Sequence, residues 1–155
     1  METQSIAQLQ TLHPLIRAKA IDAYNECVKA TPKGIHPYIT EGYRSFERSA
    51  ALYAQGRTKP GQIVSNAKAG QSYHNYGLSF DMAIQVNGKF DWSVNHNWMV
   101  CVNIFKAHGF FWGGDFSGKF KDYPHFENRF GLNWREMLKR HEAKDFITGT
   151  TYIRI

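Results

Sequence analysis

The stretch "QSYHNYGLSFDMAI", residues 71–84, combines the pattern of a core strand with two side chains that can bind a cation. Read as a strand, residues 77–84 point alternate side chains to opposite faces. One face carries four large apolar side chains: Leu78, Phe80, Met82 and Ile84. The other face carries Asp81 among small residues, which predicts an open surface around that acid. Burying an unpaired carboxylate is costly, so this pattern predicts a cation beside Asp81.

His74 lies just before this strand, where a loop can fold the imidazole over the face that carries Asp81. Gly77 allows the backbone to turn at that point because it has no side chain. An imidazole and a carboxylate are two possible zinc ligands. A catalytic zinc takes a third protein ligand and keeps its fourth position for water. The stretch therefore predicts part of a metal site and requires a third ligand elsewhere in the chain.

The third ligand should be one of the six other histidines, and their sequence contexts differ. They are His13, His36, His96, His108, His125 and His141. His13 precedes a helix-starting proline and is expected at the surface. His125 lies in "DYPHFE", with Asp122 three residues before it and Glu127 two residues after it. An acid beside a ligand is where a general base is expected, so the residues favour His125 while leaving the others open.

Composition narrows the class of protein. The chain has 155 residues, which fits one domain over residues 1–155, and 43% of them are hydrophobic, which suffices for a core. Cys27 and Cys101 lie in apolar helical contexts and are expected to be buried free thiols. The net charge of +6 suits an acidic partner such as an anionic wall polymer. A long basic run typical of a nucleic-acid-binding arm is missing, so no nucleic acid is expected as a partner.

The chain carries no sequence signal for membrane insertion or export. No window approaches the roughly 18 uninterrupted apolar residues that a membrane helix needs, so no membrane partner is expected. The start "METQSIAQLQ" lacks the basic region and apolar run of a signal peptide. Synthesis in the cytoplasm is therefore expected.

Helical and strand patterns do not alternate regularly, which favours an α+β fold over a parallel α/β sheet. Pro14 starts one helix and Ser45 caps another, while Asn133 and Glu136 form an N-x-x-E capping box for the last. A further helix is predicted in residues 92–109. Short strands are predicted in three other segments, "IHPYITEGYR" at 35–44, "FFWGGDF" at 110–116 and "PHFE" at 124–127.

Three separated motifs resemble the signature of the LAS zinc peptidases. They are "EGYRS" at 41–45, "SYHNYGLSFD" at 72–81 and "DYPH" at 122–125. That group includes D-alanyl-D-alanine carboxypeptidases, dipeptidases and L-alanyl-D-glutamate peptidases. The longer segment "ALYAQGRTKPGQIVSNAKAGQSYHNYGL" is most similar to the L-alanyl-D-glutamate peptidases of the phage endolysin type. The resemblance extends from about residue 13 to about residue 135.

The resemblance implies a hedgehog-like α+β fold, in which a small antiparallel sheet carries a zinc site and helices flank it. Three residues match the zinc ligands of the family: His74, Asp81 and His125. Asp122 matches the catalytic base, and Arg44 matches an arginine that faces the substrate and assists catalysis. Ser72 and Tyr76 are expected to contact the substrate. Ser79 stands where the family usually has alanine, two residues before the metal-binding aspartate, and because serine is also small the face around Asp81 should stay open.

The activity implied is zinc-dependent hydrolysis of the L-alanyl-D-glutamate bond in the stem peptides of peptidoglycan. Two alternatives stay open. One is a D-alanyl-D-alanine carboxypeptidase or dipeptidase with the same zinc site, and the other is a non-catalytic, zinc-stabilised module that binds murein. We expect a monomer without a separate wall-binding domain, acting on the cell wall or periplasm after phage-type release.

Overall fold

The computed structural model describes residues 2–155, which form five α-helices and five strands. The helices are α1 (Glu2–Gln10), α2 (Pro14–Ala30), α3 (Phe46–Ala54), α4 (His96–Ala107) and α5 (Trp134–Glu142). The strands are β1 (Ile35–Glu41), β2 (Ser79–Val86), β3 (Lys89–Asp91), β4 (Phe111–Trp112) and β5 (His125–Glu127). Two 3₁₀ turns, Tyr73–Tyr76 and Gly113–Asp115, precede β2 and follow β4.

All strand pairs are antiparallel, and the sheet order is β1-β2-β5-β4, with β3 paired to β2 as a hairpin. The α+β prediction is therefore confirmed. The central strand β2 pairs with β1 on one side and with β5 on the other. Asp81 stands directly opposite His125 in this register, so residues 44 positions apart in the chain become neighbours.

The predicted apolar face of β2 forms the centre of the core. Its four large side chains are at most 1% exposed. Phe80 packs against the rings of Phe105 and Phe126, with centroids 5.0 and 5.5 Å away. On the opposite face Ser79 and Ala83 are also fully buried, so the prediction of an open surface is wrong at these two positions. Of the four residues predicted on this face, only Asp81 reaches solvent, with its side chain 22% exposed.

The local start signals of three helices are confirmed. Ser45 Oγ accepts the Arg48 N–H at the start of α3, and Asn133 with Glu136 forms the capping box of α5. Pro14 begins α2. The thiols of Cys27 and Cys101 are free and buried, also as predicted. None of the described helices combines the length and apolar character that a membrane span requires.

His13 is fully buried, and its predicted surface position is wrong. Its Nδ1 accepts the Leu15 N–H at the start of α2, while its Nε2 lies 2.8 Å from the Ile153 carbonyl. The backbone N–H of His13 donates to the Gly77 carbonyl at 2.9 Å. A Cβ atom on Gly77 would lie 2.7 Å from that nitrogen, and φ is +68° there, so both the turn and the close approach require glycine.

Candidate metal centre

His74, Asp81 and His125 converge at one end of the sheet. Asp81 Oδ1 lies 3.3 Å from His74 Nε2 and 3.4 Å from His125 Nδ1. The three potential ligand atoms all lie within 4.8 Å of one another. One comes from the 3₁₀ turn Tyr73–Tyr76, one from the middle of β2 and one from the start of β5. The structure thus brings the three sequence-predicted ligands together.

The ring of His74 is oriented by the backbone of the segment after β1. Its Nδ1 lies 2.8 Å from the buried Gly42 carbonyl, which can only accept a hydrogen bond. Nδ1 therefore carries a proton, and Nε2, which faces Asp81 3.3 Å away, is the ring nitrogen that can bind a metal. This arrangement, with one ring nitrogen held by a carbonyl and the other free to ligate, is typical of metal-binding histidines.

Asn75 holds the turn that presents His74, a role that the sequence motifs did not indicate. Its side-chain NH₂ donates to the Arg44 carbonyl and to Ser49 Oγ, both at 2.9 Å. Its Oδ1 accepts the Gly70 N–H at 3.0 Å. Asn75 thereby connects the turn to the start of α3 and to the preceding loop.

The ring of His125 stands between two carboxylates. Nδ1 faces Asp81, whereas Nε2 lies 3.9 Å from Glu127 Oε2. Glu127 is only 2% exposed, so its charge is almost completely removed from water. This placement allows Nε2–H to point to Glu127 while the Nδ1 lone pair is available to a metal.

The electrostatics of the cluster favour a positive charge beside Asp81. Burial by itself would raise the pKa of Asp81, but attraction to His74 and His125 lowers it well below its usual range. Burial would likewise lower the pKa of His125, but Asp81 and Glu127 raise it to about 10. The positive charge can be a proton on an imidazole or a divalent cation in its place.

The geometry of the three donors fits a metal ion. Asp81 Oδ1 is buried and, within residues 2–155, accepts no hydrogen bond, although two ring nitrogens lie within 3.4 Å. Two ligand atoms of a tetrahedral site with bonds of about 2.0–2.1 Å are about 3.3 Å apart. Two imidazole nitrogens and one carboxylate oxygen form a donor set suited to first-row divalent metals. His74, Asp81 and His125 could therefore hold such an ion together.

Asp122 lies at the mouth of the cluster, with Oδ2 4.0 Å from His125 Nδ1 and a side chain 40% exposed. Its N–H donates to the Gly113 carbonyl at 3.1 Å. A Cβ atom on Gly113 would lie 2.1 Å from the Asp122 carbonyl oxygen, so only glycine permits this approach. Partial burial raises the pKa of Asp122 against the opposing attraction of His125. A carboxylate with a raised pKa beside a metal site suits a general base.

Arg44 lines the same cleft but is engaged in an ion pair. Its Nε donates to Glu41 Oε1 at 2.7 Å and its Nη2 donates to the other oxygen of Glu41. The Arg44 side chain is 12% exposed. The pair with Glu41, together with Asp81 and Asp122, raises the pKa of Arg44 even though burial alone would lower it. The two hydrogen bonds to Glu41 leave Nη1 of Arg44 for a further partner.

The cluster opens into a cleft with a volume of about 670 Å³. Ser72 lines it, and its Oγ also accepts the His74 N–H at 3.3 Å. Tyr76 instead lies in the core, 2% exposed, with its hydroxyl donating to the Gly70 carbonyl at 2.6 Å. The structure therefore does not bring Tyr76 to the cleft, where sequence analysis expected it to contact a substrate. The aromatic ring of Tyr76 packs against Phe46 instead, with ring centroids 5.9 Å apart.

Sequence analysis missed several cleft residues, among them Arg48, Gln71, Phe120 and Trp134. A signal existed for Arg48, because it lies four residues after Arg44 in "RSFER". Phe120 and Trp134 come from distant parts of the chain, and nothing in their neighbouring residues indicates a cleft.

Comparison with known proteins shows similarity in both sequence and fold. A family model described as D-alanyl-D-alanine carboxypeptidase matches residues 65–128. The peptidoglycan L-alanyl-D-glutamate endopeptidase CwlK of Bacillus subtilis (strain 168) is 46% identical over 125 residues, which cover 75% of this chain and 72% of CwlK.

Solved structures extend the similarity of fold. The L-Ala D-Glu endopeptidase ChiX of Serratia marcescens aligns with a TM-score of 0.57 at 20% identity, covering 84% of this chain and 90% of ChiX. The vancomycin-resistance D,D-dipeptidase VanXYg, in complex with a D-Ala-D-Ala phosphinate analogue, aligns with a TM-score of 0.52 at 17% identity, covering 88% and 61%. These two alignments show a shared fold. The 46% identity to CwlK, over 72% of its length, shows membership of a common family, and the chain belongs to the family of peptidases described as D-alanyl-D-alanine carboxypeptidase.

Proposed function

We propose that this protein is a zinc-dependent peptidase that hydrolyses the L-alanyl-D-glutamate bond of peptidoglycan stem peptides. The observation that carries the proposal is the convergence of His74, Asp81 and His125 beside Asp122, at the end of an open cleft. The 46% identity to a relative named for this bond supports the choice of substrate. Because peptidoglycan lies outside the cytoplasm, the protein acts on the cell wall.

In this proposal His74 Nε2, Asp81 Oδ1 and His125 Nδ1 hold Zn²⁺. When bound, zinc lowers the pKa of a water molecule toward about 7 and polarises the scissile carbonyl. The chain contributes fixed ligands to this chemistry. The Gly42 carbonyl keeps the proton of His74 on Nδ1, and β-sheet pairing keeps Asp81 opposite His125.

Asp122 acts as the general base and then as the general acid. Its carboxylate takes a proton from the attacking water as the new C–O bond forms. It then gives that proton to the nitrogen of D-glutamate as the C–N bond breaks, so that no net proton is consumed by the protein. Partial burial raises the pKa of Asp122 above its usual value, which makes its carboxylate a stronger base.

Arg44 contributes a positive charge next to the reacting groups. Its pair with Glu41 holds the guanidinium at the cleft wall, and Nη1 is available to the carbonyl oxygen that becomes negative in the transition state. Ser72 supports the site from the other side, because it caps the turn that carries His74 and also lines the cleft.

Hydrolysis of the D-alanyl-D-alanine terminus is the second candidate, because the matching family model carries that description. Digestion of purified murein, followed by mass analysis of the fragments, distinguishes the two activities. New L-alanine C-termini support the proposal, whereas release of free D-alanine supports the second candidate. No cleavage by zinc-loaded protein would instead favour a non-catalytic module.

The matched control in this digestion is His74→Ala. It removes one proposed ligand, and we expect both the bound zinc and the cleavage to be lost. Retention of one zinc per chain by this variant would contradict the ligand assignment.

A further inference from the structure

We propose that Arg48 recognises the free carboxylate of the D-glutamyl residue in the substrate and thereby sets a preference for the acid over its amide. This inference rests on the proposed function and names a specificity-determining residue for it. The structure points to Arg48 because it is the guanidinium of the cleft that has no partner among residues 2–155.

Arg48 lies in the first turn of α3 and lines the same cleft as His74 and Asp122. Its backbone is fixed, since its N–H donates to Ser45 Oγ at 3.0 Å. Its side chain is exposed. Within residues 2–155, no carboxylate oxygen lies within 4.0 Å of its guanidinium, and it makes no side-chain hydrogen bond. The group is therefore available to a ligand in the cleft.

Each acidic side chain that lines the cleft already has a partner or a proposed role. Glu41 accepts two hydrogen bonds from Arg44. Asp81 lies between the two histidines at 3.3 and 3.4 Å. Asp122 is needed as a base. Arg48 is thus the cation left to attract a negatively charged group of the substrate.

The proposed substrate carries such a group close to the scissile bond. The amine of D-glutamate is part of that bond, and the peptide continues through one of its two carboxyl groups. The other carboxyl group is free and negatively charged unless it is amidated. A guanidinium fork can bind a carboxylate with two parallel hydrogen bonds, which an uncharged amide cannot match.

The test compares two synthetic stem peptides that differ only in whether this carboxyl group is free or amidated. Zinc-loaded wild type and Arg48→Gln are assayed for kcat/KM on both. We expect wild type to prefer the free acid by roughly 10- to 100-fold, the range of a hydrogen bond to a charged group. Arg48→Gln should lose that preference, mainly through slower cleavage of the acid.

Two further variants sharpen the result. Lys33→Gln removes one exposed cation from the turn before β1, outside the cleft, and should keep the wild-type preference. Arg48→Lys keeps the charge but loses the fork, so its preference should fall between those of wild type and Arg48→Gln. Zinc content and thermal unfolding of all variants should match wild type because the side chains are exposed.

The inference is overturned if Arg48→Gln keeps the full preference or if wild type cleaves both peptides equally well. If zinc-loaded wild type produces no L-alanine C-terminus from either peptide, the proposed function itself is wrong. The inference that rests on it is then overturned as well.

Discussion

Replacing Glu127 by glutamine should weaken zinc binding without unfolding the protein. The Glu127 carboxylate is 2% exposed, and its Oε2 has no hydrogen-bond partner within residues 2–155. The cationic groups nearest to Oε2 are His125 Nε2 at 3.9 Å and Arg129 Nε at 3.8 Å. Because a buried charge requires a partner, we infer that Glu127 accepts a hydrogen bond from Nε2–H of His125 when Nδ1 binds the metal.

The expected size of this effect follows from that contact. Loss of a carboxylate that orients a ligand histidine typically costs 10- to 100-fold in metal affinity. Glutamine has nearly the same shape, and it removes a buried charge whose desolvation is unfavourable. This gain is offset in the apoprotein by loss of the attraction between Glu127 and His125, so zinc-free Glu127→Gln should remain folded. Competition with a zinc-binding dye measures the affinity, and urea unfolding in the presence of a chelator measures the stability.

Glu26→Gln is the matched control for this measurement. Glu26 pairs with His108 at 2.7 Å on the surface, away from the metal centre, so its replacement should leave zinc affinity unchanged. Wild-type zinc affinity in Glu127→Gln would refute the reasoning. An equal loss in both variants would do so too, since it would indicate a general effect of charge.

Three further changes test the base, the core and a buried histidine. Asp122→Asn should keep one zinc per chain while kcat falls by roughly 10²–10⁴, the usual effect of losing a general base, and near-wild-type kcat would place the base elsewhere. Phe80→Ala should cost about 3–5 kcal/mol in urea unfolding, because its fully buried ring contacts three other phenylalanine rings; a loss below 1 kcal/mol would contradict this packing. Burial lowers the pKa of His13 below 6.5, so the unfolded state takes up a proton first as the pH falls. The free energy of unfolding should therefore decrease below about pH 6.5, by at most about 1.4 kcal/mol per pH unit for this group, and less steeply in His13→Asn.

Much of the secondary structure and the three residues of the candidate metal centre could be predicted from the sequence. The alternation in β2 and the caps of α3 and α5 depend on residues within a few positions of one another, and such local signals survive in any tertiary context. The proposed ligands His74 and Asp81 were recognisable because a turn and the strand that follows it carry them within eight residues. The third, His125, was favoured by its acidic neighbours and specified by the resemblance to a family. Helix α1 was not predicted, because it is stabilised by packing on β1, where Ser5 Oγ accepts the Ile39 N–H.

The tertiary structure alone decided how the side chains are used. His13 and its carbonyl partner Ile153 are 140 positions apart, and His74 and Gly42 are 32 apart, so no local pattern indicates these contacts. The ring nitrogen that each histidine offers to a metal depends on which acceptor the fold places at the other nitrogen. The pairing of Arg44 with Glu41 is local, since the two are three residues apart, but the fold places both Arg44 and Arg48 at the same cleft. Residue types determine which chemistry is possible, and packing between distant segments determines which atoms can carry it out.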